Sequence, residues 1–303
     1  MAIRIWVQFE AHMSSLFVDH LTVIDFSYLD PERGIVGESW IVDLQLDGSL
    51  NEQGMVFDFG PVKKQIKAAV DAGLDHRFVV PKQMPGLQLT QNGDQVQLYW
   101  AKPELGMVLD YRAPAQAFFW LESDRVTPDA ARTSILNQLK TVVPHNVDAI
   151  HINLHTEHHN EAYYHYSHGL KKHDGDCQRM IHGHRSRIQV FQDHQRAHAT
   201  ERELVKHWQD IYLVTREDIV GTQTLEGIEC YVMRYKSQQG QFEMVWPVAR
   251  CDILETDSTV ELIAQHLVTR LHSKDPDSHW RVKAYEGVHK GAYAATDTNK
   301  EPA

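Results

Sequence analysis

The feature that most limits how this chain can fold is a repeat within its own sequence. "YYHYSHGL", residues 163–170, lies beside "VIDFSYL", residues 23–29, so that Tyr166-Ser167-His168 matches Phe26-Ser27-Tyr28. "MIHGHRSRIQV" lies beside "GIVGESWIVDL", with Ile181-His182-Gly183-His184 matching Ile35-Val36-Gly37-Glu38. Downstream, "STVELIAQHLVTRL" parallels "TPDAARTSILNQLKTVV", and "WRVKAYEG" parallels "VDAIHINLHTE", the strand ending at Glu157. A repeat of a whole strand-helix-strand order implies two related units in tandem. Their expected limits are 1–157 and 158–303, each an α+β module of ββαα type on an antiparallel sheet.

Local signals fill in the first module. Val62, Ile66, Ala69 and Val70 have helical spacing after Pro61, a residue suited to a helix start. Asn92-Gly93 in "QLTQNGDQVQLYW" predicts a hairpin. Thr127 followed by Pro128 reads as a helix cap and first turn. The tail "TDTNKEPA" is expected to be disordered.

Composition narrows the function classes. With 30 Lys and Arg against 41 Asp and Glu, the formal charge is -11, which argues against a general binder of nucleic acid or acidic membranes. No apolar run nears the roughly 20 residues needed to cross a bilayer, and "MAIRIWVQFEAHMSSLF" lacks the features of a secretory signal. The three cysteines, Cys177, Cys230 and Cys251, give no disulfide framework, and the last two read as buried small apolar residues. A cytoplasmic protein is expected.

The two copies differ where chemistry is expected. The second has His168, His182 and His184 where the first has Tyr28, Val36 and Glu38. In a strand, residues two apart share a face, so His182 and His184 present both imidazoles on one side, and His168 on the preceding strand can supply a third. Three protein ligands and one open position make a catalytic zinc site. Cys177 is then either a fourth ligand that closes a structural site, or a thiolate beside the metal that serves as a base.

"YSHGLKKHDGDCQRMIHGH" resembles the family of 6-pyruvoyl- and 6-carboxy-tetrahydropterin synthases, in which a strand His and then a Cys precede His-Gly-His. "GMVFDF" followed by "LDH", residues 74–76, is similar to the same family's next signature, "STVEL" to its helix start at Thr259 and Glu261, and "VKAYEG" to its final strand. The resemblance implies the tunnelling fold (T-fold), in which modules join edge to edge into a barrel and the protein is a homo-oligomer. It implies Zn2+ held by His168, His182 and His184, with Cys177 as the base and Asp75 and His76 relaying protons. Glu286, or its first-module counterpart Glu157, would anchor the pterin, with Thr259 nearby.

The implied substrate is 7,8-dihydroneopterin triphosphate, converted with loss of triphosphate to 6-carboxy-tetrahydropterin, a step towards queuosine. The alternatives are conversion to 6-pyruvoyl-tetrahydropterin and a non-catalytic pterin- or zinc-binding role. The spacing between Cys177 and His182, C-x4-HGH, lies between the forms of the two enzymes. The signatures are divided: Asp75-His76 stands in the first copy, while the histidines and Cys177 stand in the second. One composite site per pair of modules follows from that division, with the pair drawn either from one chain or, as the resemblance implies, from neighbouring subunits.

Overall fold

The structure is a computed structural model, and it describes residues 13–296 other than 51, 53, 57 and 145. The tail after Thr296 and the first twelve residues lie outside it.

The first half runs β1 (Met13–Asp30), β2 (Gly34–Ser49), α1 (Phe59–Asp71), β3 (Phe78–Pro81), β4 (Gln88–Asn92), β5 (Gln95–Lys102), β6 (Met107–Pro114), β7 (Phe118–Leu121), α2 (Pro128–Leu139) and β8 (Val147–His155). The second runs β9 (Tyr163–His168), β10 (His182–Gln192), the short β11 (Gln195–Arg196), α3 (His198–His207), β12 (Ile211–Thr215), β13 (Ile219–Leu225), β14 (Ile228–Ser237), β15 (Gly240–Pro247), β16 (Cys251–Leu254), α4 (Val260–Lys274), β17 (Trp280–Tyr285) and β18 (Gly291–Ala295). Helix starts follow their capping chemistry. Asp58 accepts from Gly60 N and opens α1 ahead of Pro61, Thr127 accepts from Ala130 N, and Thr259 accepts from Leu262 N. No helix among the described residues is long and apolar enough to cross a membrane.

Two sheets have matching order, β7-β3-β1-β2-β8 and β16-β12-β9-β10-β17-β18. The expected antiparallel sheet is in fact mixed: β3 runs parallel to both β1 and β7, and β12 to both β9 and β16. The cause is the connections: a helix precedes β3 and β12, and the three strands β4–β6 and β13–β15 inserted after them carry the chain back to start β7 and β16 in the same direction. A third sheet, β13-β14-β15-β6-β5-β4, takes three strands from each half and joins them through the β6–β15 pair. The Asn92-Gly93 hairpin is one end of it. The matching insertion in the second half lacks so plain a turn signal and is not among the sequence expectations. Phe78, Trp100, Tyr111, Ile181, Tyr212 and Trp246 form one core beneath this sheet, so both halves share buried apolar area.

The hairpins β1–β2 and β9–β10 meet across a local two-fold axis. Ser27 pairs with Gly37 and Ser167 with Gly183 in identical registers, and the Ser27 and Ser167 hydroxyls lie 2.7 Å apart. A Cβ on Gly183 would stand 2.2 Å from the Tyr166 carbonyl oxygen and 2.8 Å from Gly37 Cα. These are backbone atoms that cannot rotate aside, so Gly183→Ala is expected to cost about 3 kcal/mol or more through overpacking. Chemical denaturation would show it as a lower midpoint.

Candidate active site

The β9–β10 pairing sets His182 directly opposite His168, with His184 one pleat further along. All three are almost wholly buried, at 0%, 1% and 1% exposure, and the His168 and His182 ring centres are 4.4 Å apart. His168 and His182 are held from the Nδ1 side by hydrogen bonds, while His184 has a carboxylate near its Nδ1 but no hydrogen bond there. His168 Nδ1 is 3.0 Å from both the carbonyl and the hydroxyl of Ser258, His182 Nδ1 is 3.1 Å from Arg179 O, and His184 Nδ1 is 3.2 Å from Asp25 Oδ1. All three Nε2 atoms are buried without a hydrogen-bond partner. The triad's ligand atoms lie within 4.8 Å of one another.

Orphaned buried nitrogens are costly, and three of them converging is the pattern a metal ion satisfies. Acceptors on the far nitrogens of His168 and His182 fix the orientation of those two rings, as outer partners of metal ligands do. Burial holds His168 and His182 well below the usual imidazole pKa, and the neutral ring is the form that binds metal. The donor set therefore fits zinc.

The Asp75-His76 pair comes from the other half. Helix α1 ends at Asp71 with Ala72 as its cap, so the pair belongs to the turn beyond. His76 has a left-handed backbone, φ 53. That conformation is fixed by His76 N donating to Asp25 O at 2.7 Å and by Asp25 N donating to Asp75 Oδ1 at 2.9 Å. Asp75 Oδ2 is 2.8 Å from His76 Nδ1, and the His76 and His182 ring centres are 5.3 Å apart. Donor atoms of His76, Cys177 and His182 form a second group within 4.8 Å. Burial lowers the His76 pKa, but hydrogen bonds with Asp75 and Cys177 outweigh it and carry the group up to about 10. One chain thus brings together residues that the sequence divides between its halves.

Cys177 sits in a short turn that other elements hold. Leu170 N donates to Cys177 O, Tyr235 OH to Gln178 O, and Arg179 NH1 to His76 O, at 2.9, 2.8 and 3.3 Å. The inserted meander β13–β15 therefore supports the thiol through Tyr235.

The expected pterin contacts separate. Glu286 is partly buried, and Lys290 Nζ lies between it and Asp25, 3.6 Å from Glu286 Oε2 and 3.4 Å from Asp25 Oδ2. Glu157 has both carboxylate oxygens engaged, Oε2 by Arg187 Nε at 2.9 Å and Oε1 by Arg187 and His289 at 2.8 Å each. The pairing of β8 and β17 with the central hairpins sets Thr156, not Glu157, in the place of Glu286, because Leu154 opposes Val42 as Ala284 opposes Ile188. Thr259 is the α4 cap, and its neighbour Ser258 is the residue that touches His168.

Sequence reasoning missed Asp25, Ser258 and Lys290. Asp25 carried a usable signal, since it lies two residues before the aligned Ser27 and so on the same face of β1. It is buried and held well below the usual carboxylate range: burial opposes this, but His184, Lys290 and Ser39 prevail. Asp25→Asn is expected to weaken zinc binding about 10- to 100-fold, measured by competition with a chelator.

The axis-related position is built differently. Tyr28, Val36 and Glu38 replace the histidines, and Gln209 and Asp210 occupy the places of Asp75 and His76, Asp210 with the same left-handed backbone at φ 56. Arg33 fills the space, with Nε 3.0 Å from Asp210 Oδ2 and NH1 3.3 Å from Tyr28 OH. Burial pushes Glu38 up to about 7 against the pull of Ser39 N and Arg185. The Arg33–Asp210 ion pair, beside a cavity of about 410 Å³, takes up the place that the Asp75-His76 pair has on the other side of the axis.

Three neighbouring imidazoles that could hold a metal ion, a thiol and an Asp-His pair make up the candidate site. Residues 19–165 match the family model described as 6-pyruvoyl tetrahydropterin synthase, so this segment of the chain belongs to that family. The matched segment ends before His168. A Pyrococcus horikoshii protein named "Putative 6-carboxy-5,6,7,8-tetrahydropterin synthase" is 33% identical over 60 residues, 20% of this chain and 35% of that protein. The chain thus spans about a third of the length of that relative. The 6-pyruvoyltetrahydropterin synthase of Plasmodium vivax, solved as a catalytic residue mutant, is similar over 48% of this chain and 91% of its own, at 20% identity and a TM-score of 0.38. The Plasmodium falciparum enzyme is similar over 47% and 90%, at 18% identity and 0.37.

Proposed function

We propose that the chain is a zinc-dependent lyase converting 7,8-dihydroneopterin triphosphate to 6-carboxy-tetrahydropterin, on the way to 7-deazaguanine and queuosine. The observation that carries this reading is the meeting of Asp75-His76 with Cys177 and the buried triad inside one chain. The reading divides the chain into modules 1–157 and 158–303. It places the protein in the cytoplasm as a homo-oligomer whose sheet edges close into a T-fold barrel, since closure removes unpaired edges.

His168, His182 and His184 would hold the zinc, which when bound supplies a Lewis acid at the side-chain oxygens of the substrate. Cys177 takes a proton from a side-chain carbon. His76, oriented through Nδ1 by Asp75, passes protons to and from the reacting atoms. The partly buried Glu286 accepts paired hydrogen bonds from the pterin amino group and ring N-H, and Lys290 offsets its charge and that of Asp25. Glu157 is the weaker anchor, because Arg187 already satisfies it.

The family description supports a second reading, formation of 6-pyruvoyl-tetrahydropterin, and the intermediate C-x4-HGH spacing does not choose between the two. Carbon balance separates the two. A 6-carboxy product keeps one of three side-chain carbons, so water supplies its second carboxylate oxygen and a two-carbon aldehyde and triphosphate leave as separate products, whereas a 6-pyruvoyl product keeps all three. Anaerobic incubation of zinc-loaded protein with the substrate, followed by mass spectrometry, decides between them. Triphosphate with the one-carbon pterin supports the first reading and the three-carbon pterin the second. No triphosphate from zinc-loaded protein would overturn both and leave a binding role.

A further inference from the structure

A third group of side chains that could hold a metal ion lies on three adjacent strands of the first sheet. His20 is on β1, Asp43 on β2 and His155 at the end of β8, and one donor atom of each falls within 4.8 Å of the others. His20 sits in the register shift of β1 between Val18 and Thr22, with φ 53. Bulges of this kind re-aim a side chain. The shift also lets His20 N donate to Asp43 Oδ1 at 2.9 Å, while Asn153 Nδ2 donates to Oδ2 at 3.1 Å, so the carboxylate is fixed from two sides.

The tautomer of His155 makes the group more than a set of surface contacts. Its Nδ1 is 3.1 Å from the carbonyl of Thr156, an acceptor like the Asp43 carboxylate, and a neutral ring has one hydrogen for the two; the metal-competent form carries it on Nδ1. In the neutral ring Nε2 then presents a lone pair, and it faces Asp43 Oδ2 at 3.0 Å. Two lone pairs at that distance repel unless a cation lies between them, either a proton or a metal ion. Ligand atoms of a tetrahedral zinc stand about 3.3 Å apart given bonds of about 2.0–2.1 Å, so the pair is already near that separation. The carbonyl on the far nitrogen is the outer partner common to metal-bound histidines.

We propose that His20, Asp43 and His155 form a second, solvent-facing zinc site, separate from the buried triad and independent of the proposed reaction. Two nitrogens and one carboxylate oxygen suit zinc or a similar borderline divalent cation. The His289 ring, 6.3 Å from that of His20, is on the turn that carries Glu286 and Lys290, so an ion here would border the proposed pterin pocket.

The test is equilibrium dialysis of the full chain against zinc, with metal counted per protein. Wild type is expected to bind two equivalents, the second more weakly. His155→Ala and, separately, Asp43→Asn should weaken the second at least about a hundredfold and leave the first. His182→Ala should lose the first and keep the second, while His151→Ala, outside the group, should keep both. Wild type stopping at one, or both site variants retaining two, would overturn the proposal and leave His155 and Asp43 as a protonated pair.

Discussion

His182→Ala is expected to leave the purified protein with no zinc at the triad and to lower turnover at least about a thousandfold. Deleting one of three ligands removes a bond worth several kcal/mol and opens a buried cavity, while the Lewis acid that polarises the substrate is lost with the ion. His168→Ala and His184→Ala should behave alike, since one ligand atom of each lies within 4.8 Å of the others and all three Nε2 atoms are without a hydrogen-bond partner. Metal analysis under a chelator that strips the weaker surface site reads the effect, and retention of tight zinc by any of these variants would remove that histidine from the ligand set.

The second large effect separates base from ligand. Cys177→Ala and His76→Ala are each expected to lower turnover roughly 10²- to 10⁴-fold, the range for a positioned acid or base, while zinc stays bound. Cys177 groups with His76 and His182 rather than with the complete triad, which favours a thiol beside the metal over a fourth ligand. Loss of zinc in Cys177→Ala would reverse that assignment and make the site structural. The double variant should lose little more than either single one, because residues acting as a unit are not additive.

Much of the arrangement was legible in the sequence for a physical reason. The strand period of two fixes facing, so aligning Ser167 with Ser27 placed His168, His182 and His184 on their strands and showed Tyr28, Val36 and Glu38 as the axis-related set. What stayed hidden depends on distant pairing. Ser258 touches His168 only because α4 starts beneath β9, and a cap-adjacent serine carries no such signal in one dimension. Lys290 reaches Asp25 through a turn whose geometry no local pattern encodes. The parallel pairings of β3 and β12 depend on which side of the hairpin a crossover returns to, and hydrophobic alternation does not carry that information. Glu157 and Glu286 look equivalent in a linear alignment, and only the register of β8 and β17 sets them one residue apart.

The most direct test of the account is whether one chain completes its own site. Chains carrying His76→Ala and chains carrying His182→Ala, co-expressed and purified together, should release no more triphosphate than either variant alone, because each chain lacks one half of its own composite site. Recovery towards roughly a quarter or more of wild-type turnover, the share expected if sites were completed between chains, would contradict it, and would place the Asp75-His76 pair of one chain against the zinc of another.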